Sequence, residues 1–278
     1  MGFFARLKAV FTRKKEPLKL GIALGSGGAK GMAHLGALKA FEEEGIRFSF
    51  VTGTSIGSIV GALYAKGYSV ADMIEIIEGL NRKEFSKNLR PFSDMEFAEE
   101  FLSRYVEGEI SELPVPFAAW ATDGETNAGV LLAEGNTARA CTASSAIPPF
   151  FRSVEIGGRK LYDGAFTNSV PADICKTMGA EFVVGADLSA YTRSDEEKSL
   201  ISRVLGSAMS AFVPVKYTED CKSRGYAAAD FMLRPDLGNY RATDVSREAM
   251  NAMYEIGYAE AKSRMEELKA AIADASKR

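Results

Sequence analysis

Between residues 20 and 67 the chain runs strand, glycine turn, helix, strand, glycine turn, helix, and few folds accommodate that order. Leu20-Gly21-Ile22-Ala23-Leu24 reads as a short buried strand. After the turn, a helix over 31–44 places Met32, Leu35, Leu38 and Phe41 on one face, and Gly45 is positioned to stop it. A second strand is expected over 48–52. The helix that follows carries Ile56, Ile59, Val60, Leu63 and Tyr64 at i, i+3, i+4, i+7 and i+8, the stripe of a core-facing helix, and Gly67 ends it. Parallel strands need such crossovers, so the expectation is an α/β fold with a mainly parallel sheet flanked by helices.

Beyond residue 67 the sequence is more helical. Ser69-Val70-Ala71-Asp72 and Ser93-Asp94-Met95-Glu96 both have the form of helix entries, so 69–105 is expected to be a mostly helical excursion from the sheet. Strands are expected at 116–122 and 129–133, joined by a turn through Asn127-Ala128-Gly129, and a hairpin over 152–162 turning at Gly157-Gly158. A helix after Pro171, a strand at 181–187, a helical region at 197–224, a strand at 230–233 and a last helix at 246–273 complete the reading, with 236–244 a loop. One domain is therefore expected over 18–278, with the motifs within 20–190 and a helical C-terminal part over 197–278. A basic appendage, 1–17, precedes it and ends at Pro17.

Composition narrows the chemistry. There is one histidine, His34. A metal site built on several imidazoles is thereby excluded, and a Ser-His-Asp triad could use only His34. The three cysteines, Cys141, Cys175 and Cys221, are odd in number and far apart, so neither a disulfide framework nor a zinc site is indicated, and a reducing cytoplasm suits them. The net charge of −3 and the lack of a basic, aromatic-interleaved cluster argue against nucleic acid as a partner. No apolar stretch is long enough to span a membrane. The first 15 residues are charged throughout and do not have the form of a secretory signal. Arg6 stands where a myristoylation motif wants Ser or Thr.

Three short motifs carry the candidate chemistry. Gly53-Thr54-Ser55-Ile56-Gly57 is a G-x-S-x-G between a strand and a helix, where a nucleophile elbow must sit. The alternative is a plain strand-to-helix turn with Ser55 as helix cap. Gly25-Ser26-Gly27-Gly28-Ala29-Lys30-Gly31 can turn successive N–H groups into one concave site, as an oxyanion requires. It is not a P-loop, since Lys30 precedes Gly31 and Met32 follows. It is not a dinucleotide fingerprint, since Lys30 occupies the third glycine position. A tight turn that needs glycine is the other reading. Tyr162-Asp163-Gly164-Ala165 ends the expected hairpin, and an Asp-Gly pair alone is most often just a turn. His34 falls in the first helix and reads as a satisfied helical histidine. Asp123, Asp173 and Asp187 match no motif and read as turn, helix-start and strand-end residues.

Taken together and in this order, 26–31, 53–57 and 163–165 resemble the patatin-like phospholipase family over about residues 20 to 190. The departure is Ser26, where many members have a further glycine. The resemblance implies a patatin-like three-layer fold and a serine acyl hydrolase that cleaves acyl esters of lipids, in the manner of a phospholipase A or lysophospholipase. Ser55 would be the nucleophile, Asp163 its only catalytic partner, and Gly27 and Gly28 the oxyanion donors, with no metal or organic cofactor. A free Asp is a weak base for a hydroxyl, so the site should be dry enough to raise its pKa. The alternatives are a thioesterase or small-ester esterase on the same dyad, and a lipid-binding regulatory protein without turnover. Within the appendage, Phe3, Phe4, Leu7, Val10 and Phe11 would share one helical face, with Arg6, Lys8 and Arg13 outside it; Lys14 breaks this pattern near Pro17, where the helix must end. Residues 2–15 are therefore a candidate for peripheral contact with anionic membrane, the null being packing on the domain itself or disorder. The oligomeric state is not fixed by the sequence.

Overall fold

A computed structural model describes residues 17–80, 92–189 and 213–278. The expected amphipathic segment at 2–15, the middle of the 69–105 excursion and most of the helical region at 197–224 lie outside the described residues.

Among the described residues the strands are β1 (Leu20–Leu24), β2 (Phe50–Thr54), β3 (Phe117–Asp123), β4 (Gly129–Leu132), β5 (Val154–Ile156), β6 (Arg159–Asp163), β7 (Phe182–Ala186) and β8 (Phe231–Leu233). The helices are α1 (Met32–Glu43), α2 (Ile56–Lys66), α3 (Val70–Gly79), α4 (Glu96–Ser103), α5 (Thr137–Ser144), α6 (Ala172–Thr177), α7 (Ser223–Ala228), α8 (Arg247–Ser263) and α9 (Met265–Ala275). The sheet order is β5-β6-β3-β2-β1-β7-β8, with β4 also on β3. The five strands from β3 to β8 run parallel, and β4, β5 and β6 are antiparallel additions.

Period-two alternation divides the core between the two sheet faces. Ile22 and Leu24 of β1, with Phe182, Val184 and Ala186 of β7, join the large core that also holds α1, α2 and α8. Ala23 and Val183 point the other way, into a small core with Ala172 and Cys175 of α6. Helices on both faces make the fold three-layered, as expected. Both faces of these strands are buried, which is why they read as continuous apolar runs.

The branching of β3 matters most for the site. Ala119 to Thr122 pair with β4 along one edge. Along the other edge β3 pairs with β2 up to Trp120, opposite Thr54, and with β6 from Ala121, opposite Asp163. That edge passes from Thr54 to Asp163 in one residue step. The two motifs, far apart in sequence, meet at the seam.

Several boundaries differ from expectation. The second strand is Phe50–Thr54 rather than 48–52, because its register with β1 starts at Phe50 opposite Gly21. Ser69 caps α3 with a full capping box. Ser93 caps nothing: its backbone instead bridges to the 150–152 segment, and α4 starts at Glu96 behind Met95. Of the helical region expected at 197–224, the described part before Ser223 is not helical, and α7 begins only there. The last helix is two, capped by Ser246 and broken at Arg264, whose guanidinium turns back onto the Met232 carbonyl and the Phe231 ring. Helix α5 was not expected at all.

Candidate functional site

Ser55 sits between β2 and α2 with φ 57° and ψ −128°, a conformation a β-carbon disfavours. The flanking glycines permit it. A Cβ on Gly57 would lie 2.1 Å from the Leu24 carbonyl oxygen, and one on Gly53 would lie 2.2 Å from the Gly57 oxygen. Only glycines let strand, elbow and helix come this close. The Ser55 side chain caps nothing, so it is not the plain helix cap of the alternative reading. Its backbone N–H donates to the Ser144 hydroxyl at 2.9 Å. α2 then directs its N-terminal dipole at the elbow.

Asp163 ends β6 and is fully buried. Its Oδ1 accepts the Ala165 N–H at 2.8 Å, while Oδ2 is buried without a hydrogen-bond partner. Burial raises its pKa from 3.8 to about 6, against the lowering effect of the Ser55 hydroxyl and the Ala165 N–H. The hydroxyl is thus close enough to act on the carboxylate, yet no bond closes on Oδ2. Resting sites commonly hold such pairs slightly apart.

In the glycine loop, the N–H groups of Gly25, Ser26, Ala29 and Lys30 are bonded to the oxygens of Ala186, Ser169, Ala242 and Gly27. Among the described residues, the N–H groups of Gly27 and Gly28 have no such partner. Gly28 has φ +57°, and a Cβ there would lie 2.5 Å from the Ala242 oxygen. The Ala242 loop therefore presses on the glycine loop from outside. Ser26 keeps the loop's base in place, with its N–H on the Ser169 oxygen and its hydroxyl on the Ser169 hydroxyl.

Gly27, Gly28 and Ser55 line one cavity of about 320 Å³. The rest of its wall is largely apolar and includes Ile56, Ile59, Leu80, Ile147, Phe150 and Val245. The wall can hold a hydrocarbon chain beside Ser55. A wider, open groove of about 620 Å³ beside Leu18, Ile46, Arg47 and Ile272 contains none of the three motifs.

His34 is buried in α1. Its Nε2–H donates to the Gly25 carbonyl at 2.8 Å, and Nδ1 is left without a partner, so the histidine is satisfied at one nitrogen rather than two. Burial lowers its pKa to about 4, and it stays neutral at physiological pH. Its bond supports the base of the glycine loop. The other three aspartates are engaged elsewhere. Asp123 accepts the Glu125 and Thr126 N–H groups, Asp173 binds Asn168 and Arg224, and Asp187 accepts from Ser189 and Tyr226. Burial pushes the Cys141 and Cys175 thiols up to about 12, which makes both inert.

Sequence reasoning missed Ser144. It ends α5, a helix whose residues from Thr137 to Ser144 are nearly all buried and mostly small. A helix buried all round has no polar face, so it shows no 3.6-residue alternation. The one available signal was Asn136, whose side chain caps the helix by accepting the Arg139 N–H.

A family model described as patatin-like phospholipase matches residues 22–176. Patatin-like phospholipase domain-containing protein 6 of Mus musculus is 28% identical over 297 aligned residues, covering 92% of this chain and 21% of its own length. Neuropathy target esterase sws of Drosophila melanogaster is 27% identical over 195, covering 63% of this chain and 13% of its own. The chain thus spans about a fifth or less of the length of these two relatives. Among solved structures, VipD from Legionella pneumophila has a TM-score of 0.58 at 15% identity, over 90% of this chain and 67% of that one. Human GIVD cytosolic phospholipase A2 has a TM-score of 0.51 at 12% identity, over 95% and 60%. At those identities the two structures attest the fold alone.

Proposed function

We propose, from the premise that this chain belongs to the patatin-like phospholipase family, that it is a serine hydrolase of lipid acyl esters working through Ser55 and Asp163. The observation that carries the reading is the buried, unpartnered Oδ2 of Asp163 beside Ser55. A carboxylate with a pKa near 6 is ionised at neutral pH and is a far better proton acceptor than an ordinary one. Asp163 takes the Ser55 proton as Oγ attacks the ester carbonyl. The free N–H groups of Gly27 and Gly28 receive the oxyanion. Collapse of the tetrahedral intermediate expels the alcohol, which takes the proton from Asp163 and leaves Ser55 acylated. Water then gives its proton to Asp163 as it attacks the acyl-enzyme, and collapse of the second tetrahedral intermediate breaks the Ser55 ester bond, returns the proton from Asp163 to Ser55 Oγ and releases the acid. The apolar cavity would hold the acyl chain, which favours a lipid ester over a small soluble one.

Among the described residues no helix is long and apolar enough to cross a membrane. We place the protein in the cytoplasm, at the inner face of the membrane when residues 2–15 engage anionic lipid. The test of the central reading is a panel of phospholipids, lysophospholipids, acyl thioesters and short esters, run on wild type and Ser55→Ala. Hydrolysis of acyl lipids that vanishes in the variant supports the reading. Hydrolysis that survives in Ser55→Ala, or a wild type that binds lipid without cleaving any ester, refutes it. Preference for thioesters or short esters would favour the alternative enzyme on the same dyad.

A further inference from the structure

Both proposed catalytic residues are held by one short piece of chain that no motif includes. The Ser55 N–H donates to the Ser144 hydroxyl at 2.9 Å. The Asp163 N–H donates to the Ala146 carbonyl at 3.0 Å. The Ser144 hydroxyl in turn donates to the Trp120 carbonyl at 2.7 Å. Trp120 is the last β3 residue paired with β2, directly before the step to Asp163. Gly164 packs on that same carbonyl, since a Cβ there would lie 2.1 Å from the oxygen. The elbow and the branched strand therefore meet on the Ser144 hydroxyl, and the acid turn is held two residues further on by the Ala146 carbonyl.

The convergence answers a specific need. Ser55 is in a disfavoured conformation, and such a backbone persists only when its surroundings over-determine it. Asp163 is poised near the Ser55 hydroxyl without a closed bond on Oδ2. Backbone anchors also hold the pair, the Ser55 N–H on Ser144 and the Asp163 N–H on Ala146. Ser144 is completely buried.

We propose that Ser144 is a positioning residue of the acyl-transfer reaction: its hydroxyl and the Ala146 carbonyl clamp the Ser55 and Asp163 backbones at the separation the proton transfer requires. The proposal rests on the Ser55–Asp163 reading above. It predicts a loss in kcat, since reacting groups displaced by about 1 Å can lose about 100-fold in rate while the substrate pocket stays intact.

The experiment measures kcat and KM on a soluble ester for Ser144→Ala, with Ser55→Ala and Thr142→Ala beside it. Thr142 is buried in the same helix, but its hydroxyl bonds only to the Arg139 carbonyl of its own turn. Ser144→Ala should lose about 100-fold in kcat with KM unchanged, while Thr142→Ala keeps its kcat. If Ser144→Ala fails to fold, Ser144→Cys fills nearly the same space with a weaker donor and acceptor and should still lose about tenfold in kcat. A folded Ser144→Ala with the kcat of Thr142→Ala, or a Ser144→Cys with wild-type kcat, overturns the clamp. Either result beside a dead Ser55→Ala leaves the dyad standing. Activity in Ser55→Ala would instead remove the dyad itself.

Discussion

Asp163→Asn should inactivate the protein and, at neutral pH, stabilise it. The side chain is completely buried and its pKa rises from 3.8 to about 6, with desolvation the largest cause. For an acid whose folded-state pKa is raised, the native state holds its proton where the unfolded chain has lost it. Stability therefore falls as pH rises through the window from 3.8 to about 6, and above that the cost is fully present. That interval corresponds to about 3 kcal/mol, of which roughly half appears between pH 5 and pH 8. Asn keeps the Oδ1 acceptor for the Ala165 N–H and cannot ionise. The assay is urea unfolding of wild type and variant at pH 5 and pH 8. Their difference cancels the other titrating groups. It should shift in favour of Asn by about 1.5 kcal/mol between the two values. Wild-type kcat/KM on a soluble ester should meanwhile rise with pH through about 6 and level off, as the base ionises. Asn should lose about 100- to 10,000-fold in rate. A stability difference that is flat with pH, or that moves against Asn, would refute the claim that the buried carboxylate is ionised at a cost. A rate profile with its midpoint near 4 would do the same.

Gly28→Ala should cut kcat about 100- to 1,000-fold, because the φ of +57° and the Ala242 oxygen 2.5 Å from the new Cβ force the loop and its N–H groups to shift. Wild-type kcat in a folded variant would take Gly28 out of the oxyanion site. His34→Gln should keep most of its activity while melting at a lower temperature, since it loses or weakens the support of the Gly25 carbonyl but no group of the dyad. A fall as large as that of Ser55→Ala would restore a triad. Deleting residues 2–15 should weaken co-sedimentation with anionic liposomes, more so at low salt, and leave soluble-ester hydrolysis unchanged. Equal sedimentation of the two forms counts against the membrane role.

The three candidate motifs were legible in sequence because each stands at a strand end with glycine at or beside the turn. The strand-to-helix elbow at Ser55, the loop at 25–31 and the hairpin through Gly157-Gly158 follow from local chemistry, and all three were found where expected. What local chemistry does not carry is the pairing between distant segments. The step on β3 from Thr54 to Asp163 is a fact of register, and the unpartnered oxygen of Asp163 is a fact of packing. Helix α5 was invisible because burial on every side removes the polar face that periodicity needs. Ser93 has the form of a cap, but a strand-like bridge to Phe151 claims its backbone, so tertiary pairing overrode a local signal.

The Ala242 loop has a consequence for cutting and recombining this protein. The family match ends at residue 176, yet the glycine loop donates its Ala29 N–H to the Ala242 oxygen beyond it, and Ala242, Thr243 and Val245 form part of the cavity wall. β7, which pairs with β1 along its whole length, also lies past that point. A chimera that carried 22–176 into a foreign C-terminal half would contain all three motifs. It would still have an open edge on β1 and a glycine loop with nothing against its back. The transplantable unit runs to the helix after the Ala242 loop, and shuffling experiments should place their crossovers outside it.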